Sequence, residues 1–374
     1  IPTALLFWFA FLISIKLSSL YQKKRISYDS NGAIIRLNMR RFKKYFWTTL
    51  IIIAPSVLIG FRHYEVGADT INLVTSYSKL SSSADTSIII WDKILYSVLR
   101  YIIFVLSNGN PTAFLFVMVF LTLFILVRAL EYWIDKISIP MALLVYYALF
   151  GMQLLNQSRQ LLALSILFYG MPYLLNNRIK KYLWYVLIAS LFHFTALIGI
   201  VFAVIHYILK RYTLIKKEFI YVLWILSPLL IYPALILASK ILPASYTVYI
   251  ENLTFRGVGL GLLLTVFPVI IPIFLFRRYL TDNISEYLSV IALLAYPFRF
   301  AGYYSYFLMR LNYYSSIYMV LILPLIISKI KAKYRKQIAV FTIIFVFVVY
   351  YIVHFMYLDA ADIFPYKMIT FSNN

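Results

Sequence analysis

Residues 47–70 read WTTLIIIAPSVLIGFRHYEVGADT. An uncharged apolar run ends at Gly60 and is followed at once by Arg62, His63, Glu65 and Asp69. The first half suits hydrocarbon, where a helix of roughly 20 apolar residues crosses about 30 Å. The second half puts both signs of charge at the mouth of that helix. Charges beside a membrane are costly, so they are usually paired, cavity-facing or functional.

The rest of the chain shares the first half's character. Of 374 residues, 63% are hydrophobic, 19% aromatic and only 13% charged, with a mean hydropathy of +0.85. A soluble domain cannot hide so much apolar surface, so the solvent is lipid. The expected fold is all-α: a polytopic transmembrane helical bundle of about 12 membrane segments, forming a single integral membrane domain over 1–374. Hydropathy and punctuation put the segments at 1–17, 45–60, 111–130, 138–155, 160–176, 182–192, 195–209, 218–239, 259–276, 286–303, 312–328 and 337–357. The N-terminal run lacks a basic leader and a cleavage site and is read as a retained first span. Residues 61–110 form an outward-facing loop whose amphipathic stretch WDKILYSVLRYIIFVL (91–106) lies along the interface or dips into it. Residues 240–258 form a second outward loop.

Orientation follows from the basic residues. Clusters at 16–44, 128–136, 178–181, 210–217, 277–278 and 329–336 hold 25 of the 35 Lys and Arg, and they are read as cytoplasmic. The net charge of +22 then reports topology rather than nucleic-acid binding. Keeping the clusters on either side of residues 182–209 on one face requires a helical hairpin broken near His193. Each arm of about 12 residues rises only about 18 Å, so the turn lies in thinned membrane or beside a cavity.

The chain has no cysteine, so neither disulfides nor thiolate metal sites arise. His63, His193, His206 and His354 are scattered, and no zinc-binding or nucleotide-binding motif occurs. No metal and no cofactor is expected.

On this topology the outer face holds Glu65, Asp69, Asp85, Asp92, Glu251, Asp359 and Asp362 against Arg62, Arg100, Arg159, Arg256, Arg299 and Arg310. Arginine offers a planar fork of donors suited to phosphate oxygens and stays charged at low dielectric. Such a cluster reads as a pyrophosphate site. In LLNQSRQLLALSI (154–166), Asn156, Arg159, Gln160 and Ala163 recur at helical spacing, giving one polar face toward a cavity or a neighbouring helix. The alternative is an arginine snorkelling to the interface. His193 is either bonded to backbone freed by the helix break or a base or phosphate donor. AYPFRFAGYYSYFLMRLNYYSSIY (295–318) sets Arg299, Tyr303 and Arg310 among tyrosines that suit an interfacial belt or a sugar platform. DAADIFPYKM (359–368) is either a solvated tail or a segment docked on the outer face.

These residues resemble a family. RHYEVGADT (62–70) is similar to the Arg-x-x-x-x-Gly-x-Asp signature of Wzy-type polysaccharide polymerases, in their EpsG-like branch. NQSRQLLALSI (156–166) resembles that branch's Arg-Gln-x-x-Ala helix. NNRIKKYLWYVLIASLFHFTAL (176–197) resembles its basic turn leading to Ala-x-x-x-His-x-x-Ala. RLNYYSSIYMVLILP (310–324) and IFPYK (363–367) resemble its closing segments. The likeness spans about residues 45–370 in order; Ala68 departs from it, where the family more often carries Thr.

The resemblance implies a GT-C-like, metal-independent glycosyltransferase of the bacterial inner membrane, acting at its periplasmic or exterior face. It would join undecaprenyl-diphosphate-linked repeat units, passing the growing glycan to the non-reducing end of an incoming unit. Asp69 is the expected base, with Glu65 and His193 as rivals. Arg62, Arg159, Arg299 and Arg310 are expected on the diphosphate, and Asn156, Gln160 and Tyr303 on the glycan or as polar support. Expected partners are the lipid-linked donor and acceptor, membrane lipid and a chain-length regulator protein, with no nucleic acid. The competing readings are an O-antigen ligase, a lipid-linked oligosaccharide flippase and a membrane acyltransferase.

Overall fold

The structure is a computed structural model that describes residues 2–28, 34–81, 93–211, 222, 226–240, 262–263, 266–304, 306–358, 362–363 and 365–369. Asp85, Asp92, Glu251, Arg256, Asp359 and residues 241–258 of the second outward loop lie outside the described residues. The chain divides into two compact units, residues 1–199 with 347–374, and residues 200–346.

The first unit is a helical bundle. Its helices are α1 (Pro2–Arg25), α2 (Arg41–Gly60), α3 (Thr70–Ser78), α4 (Ile94–Leu106), α5 (Pro111–Glu131) and α6 (Ile139–Phe150). A four-residue turn α7 (Gln153–Asn156), α8 (Ser158–Leu175) and α9 (Ile179–Phe192) follow. A short antiparallel hairpin of β1 (Ile26–Tyr28) and β2 (Ile34–Arg36) joins α1 to α2, with Ser27 opposite Ile35. Helix starts follow local chemistry. Asn110 accepts the Thr112 and Ala113 N–H groups ahead of Pro111, and Ser138 caps α6 in the same way ahead of Pro140. α5 packs against both α2 and α8, α8 packs against α9, and α1 packs against α2 and α6. The core they share is apolar, with Phe114, Leu123, Leu126, Tyr146, Leu155 and Leu161 buried.

The break near His193 is present. α9 ends at Phe192, His193 is extended, and a tight turn spans Phe194–Leu197 before α10 (Ile198–Arg211) begins. The chain doubles back there: a methyl on Gly199 would lie 2.8 Å from Val186 and 3.1 Å from the Tyr182 hydroxyl, both on α9.

α4 is polar inside and apolar outside. Tyr96, Ser97, Arg100 and Ile103 are buried, while Val105 and Leu106 are 58% and 83% exposed. That inversion suits a helix whose outer side meets lipid.

In the second unit, α11 (Pro228–Ser239), α12 (Ile271–Leu275), α13 (Asn283–Leu293), α14 (Ala295–Ala301), α15 (Tyr306–Met309), α16 (Asn312–Ser316), α17 (Met319–Lys329) and α18 (Lys333–Tyr351) follow α10. α18 runs on past residue 346 into the first unit. Ile231, Ala301 and Leu308 form one core cluster. Asp282 caps α13 and is ion-paired to Lys329 at the end of α17.

The segments expected from hydropathy are largely helical where described, but the count differs. Among the described residues five helices are long and apolar enough to cross a membrane: Arg41–Gly60, Pro111–Glu131, Phe194–Arg211, Asn283–Ala301 and Lys333–Tyr357. Others, such as α6 and α9, are apolar but short. Hydropathy averages over a window and does not register a backbone break such as that at Gln157.

Candidate functional site

The loop between α2 and α3 is built around Arg62, which is 1% exposed. Its Nη1 donates to the Ile59 carbonyl at 2.7 Å and its Nη2 to the Leu155 carbonyl at 2.6 Å. Nε donates to the Val66 carbonyl at 3.3 Å, and Nε and Nη2 both reach the Thr70 hydroxyl, at 3.2 and 3.1 Å. The guanidinium is thus committed to protein acceptors on three segments. Burial pulls its pKa down to about 10, partly offset by the neighbouring Tyr366, so it stays charged at neutral pH.

The C-terminal segment closes over this loop. Arg62 pairs antiparallel with Met368, the His63 N–H donates to the Lys367 carbonyl at 2.8 Å, and the Gly67 N–H donates to the Asp362 carbonyl at 2.8 Å. The Tyr366 hydroxyl bonds the Leu58 carbonyl, and burial raises its pKa despite Arg62. DAADIFPYKM is therefore docked across its described residues. On its exposed side, Glu65 meets His63 at 3.4 Å and Lys367 at 3.5 Å.

Asp69 sits half-buried at the start of α3, and its N–H donates to Asn156 Oδ1 at 3.3 Å. Gly67, at φ +96°, makes this approach possible: a methyl there would lie 2.6 Å from Asn156 Oδ1 and 2.9 Å from the Thr70 hydroxyl. Asn156 and Arg159 do not share one continuous helix, as their spacing suggested. α7 ends at Asn156 and Gln157 is non-helical, at φ −111° and ψ 40°. The Leu155 carbonyl, which a continuing helix would offer to the Arg159 N–H, is taken by Arg62.

Beyond the break, Arg159 is half-buried with its guanidinium over the Tyr96 ring at 5.0 Å. Arg100 stacks near the same ring at 5.9 Å and donates to the Ser76 hydroxyl on α3 at 2.9 Å. Arg100 is 6% exposed, and its Nε has no hydrogen-bond acceptor among the described residues. These contacts form a chain: Asp69 opens α3, α3 carries Ser76 to Arg100, Tyr96 joins Arg100 to Arg159, and Asn156, three residues before Arg159 across the break, accepts the Asp69 backbone N–H. Sequence reasoning named Arg100 among the outer arginines but gave it no site role. The available signal was Tyr96 and Arg100 at i, i+4 on an otherwise apolar helix.

Gln160 is buried at the start of α8. His193 marks the break after α9, its N–H on the Ala189 carbonyl at 2.9 Å and its carbonyl accepting the Ala196 N–H. In the second unit Arg299 Nη1 lies 2.7 Å from the sulfur of Met309, the residue that precedes Arg310 in the chain. Gly302, beside Tyr303, packs on the Met309 side chain, and the Tyr303 ring contacts Phe300 at 5.8 Å. Among the described residues no three His, Cys, Asp or Glu side chains gather as metal ligands would.

The model of the EpsG family matches residues 44–368, from the start of α2 to the docked C-terminal segment. The chain belongs to the EpsG family. Neither a search of curated proteins nor one of solved structures returned a match. Within this EpsG-family chain the matched stretch takes in Asp69, Arg100 and Arg159 as well as Arg299 and Arg310. Family membership and the long apolar helices together make it a multi-pass membrane protein of the polysaccharide-polymerase type.

Proposed function

We propose that this EpsG-family protein is a Wzy-type, GT-C-like polymerase of the bacterial inner membrane. It joins undecaprenyl-diphosphate-linked repeat units at the outer face, transferring the growing glycan to the non-reducing end of the incoming unit without a metal. The observation that carries this reading is that Asp69, held through its backbone N–H by Asn156, opens the helix whose Ser76 accepts from Arg100, and Arg100 shares the Tyr96 ring with Arg159.

The chemistry needs both parts. An acceptor hydroxyl oxygen attacks the anomeric carbon, the bond from that carbon to the diphosphate breaks, and its electron pair leaves on the diphosphate oxygen. The hydroxyl proton goes to the Asp69 carboxylate. Arg159 and Arg100 neutralise the departing diphosphate, their forks matching its oxygens in a site with little water. Glu65 is a weaker base candidate because His63 and Lys367 hold it on the exposed side. Arg62 supports the loop from beneath instead of contacting diphosphate, since its donors are committed to protein acceptors. Arg299, Arg310 and Tyr303 keep the diphosphate and glycan roles implied by the resemblance, Gln160 serves as polar support, and His193 stays the second rival base. A chain-length regulator is the expected protein partner.

The test is the glycan ladder of cells lacking the gene. Loss of polymer with a single repeat unit retained supports the polymerase. Loss of every surface unit points to a ligase or flippase, and an intact ladder lacking only acyl groups points to an acyltransferase.

A further inference from the structure

The end of the first unit away from Asp69 carries a surplus of positive charge. Glu131, at the far end of α5, receives Arg25, Arg128 and the Tyr21 hydroxyl, with Lys44 at 3.7 Å. Three cations thus face one carboxylate, in side chains no more than 23% exposed. Arg128 also borders a cavity of about 490 Å³ between α5, α8 and the start of α9, lined as well by Tyr132, Tyr169, Tyr173, Asn176 and Arg178. Among the described residues no carboxylate lines it. Lys181 adds a further cation over the Tyr173 ring at 5.9 Å.

A second cavity of about 280 Å³ adjoins the first, sharing Arg128 and Tyr169; Phe124, Ile125 and Ile166 with the tyrosines Tyr45 and Tyr185 complete a mostly apolar wall. A cationic, hydroxyl-rimmed chamber beside an apolar one matches the two parts of a phospholipid. Positive charge in excess at a membrane edge is costly until an anion offsets it, and arginine is the side chain best shaped for a phosphate.

We propose that this cavity binds the phosphate of an anionic phospholipid, between Arg128 and Arg178, with an acyl chain in the adjoining apolar chamber. The tyrosine hydroxyls supply donors around the headgroup, and the Asn176 amide, which donates to the Tyr132 hydroxyl at 2.9 Å and the Pro172 carbonyl at 2.7 Å, fixes the rim. Bound lipid would clamp α5 to α8 and α9, the helices that carry Arg159 and lead to His193 at their other ends.

The experiment uses the full chain purified in detergent, with binding read by native mass spectrometry. The probes are phosphatidylglycerol, phosphatidylcholine with the same acyl chains, and free glycerol phosphate. The expected result is selective retention of phosphatidylglycerol that weakens as salt rises. Arg178→Ala and Lys181→Ala, both at exposed positions, should each weaken it about fivefold. Equal retention of both lipids, or unchanged affinity in Arg178→Ala, overturns the proposal. Displacement of phosphatidylglycerol by equimolar glycerol phosphate assigns the anion to a soluble source and overturns the lipid assignment.

Discussion

Arg62 and Leu155, 93 residues apart in the chain, are joined by a hydrogen bond of 2.6 Å from the guanidinium to the Leu155 carbonyl. That bond stops a helix and frees Asn156 to hold Asp69. A residue selected from sequence as a phosphate ligand thus has a prior task, to fix the backbone on which the candidate base sits.

Arg62→Ala should therefore act on stability before chemistry. It strips the guanidinium donors from the Ile59 and Leu155 carbonyls, at about 1–3 kcal/mol for each group left unsatisfied, while the Val66 carbonyl keeps the Thr70 hydroxyl. The expected outcome is a marked fall in the thermal midpoint of the detergent-purified protein, followed by size-exclusion after heating. Gly67→Ala should act in the same direction through its clash with Asn156. An unchanged midpoint in Arg62→Ala would return that side chain to the phosphate-binding set.

Arg159→Lys and Arg100→Lys keep the charge but lose the planar fork. Losing one charge-assisted bond to the departing diphosphate costs about 1.5–3 kcal/mol, or roughly 10–100-fold in turnover. Polymer formation from lipid-linked repeat units in vitro measures this, with protein level and fold checked in parallel. Wild-type turnover in Arg159→Ala would reduce that arginine to an interfacial snorkel.

Asp69→Asn preserves shape and removes the base. Lipid-linked substrate should still bind while turnover falls about 10²–10⁴-fold. Glu65→Gln, on the exposed side, should change turnover by less than about tenfold by the same comparison. Near-normal turnover in Asp69→Asn would move the search for the base to Glu65 or His193.

Turnover by the purified enzyme should survive a strong chelator, because the arginines take the charge that a divalent ion would otherwise neutralise. Loss under chelation, restored by adding the ion, would remove the arginine-only account of the leaving group.

Asp282 ties the second unit's α13 to α17. Burial works against its charge, but the Lys329 ammonium and the Ser285 backbone and hydroxyl prevail, lowering its pKa from 3.8 to about 2. A carboxylate with a lowered folded pKa stabilises above its unfolded pKa, and that contribution is lost as pH falls through the folded value. Stability should decline between about pH 4 and pH 2, and Asp282→Asn should flatten that decline. Midpoints measured across this range in the wild type and the variant provide the check.

Composition and hydropathic runs were enough to establish a helical membrane protein and to place most helices within a few residues, because lipid demands unbroken apolar length and internally satisfied backbone. The break at His193 was legible too, since the reading that put the basic clusters on both sides of it on one face required the chain to turn there. The polar residues at the ends of those helices were legible as types: a carboxylate, arginines and amides in order along the chain. Which of them meet was not, because that depends on contacts between residues far apart in sequence. Spacing put Asn156 and Arg159 on one helix face, but a hydrogen bond from Arg62 broke that helix. Periodicity marked 91–106 as amphipathic, yet only packing against α5 and α9 turned Arg100 and Tyr96 inward, beside Arg159. Local sequence specifies helices through bonds four residues apart; the site depends on long-range bonds that no window along the chain contains.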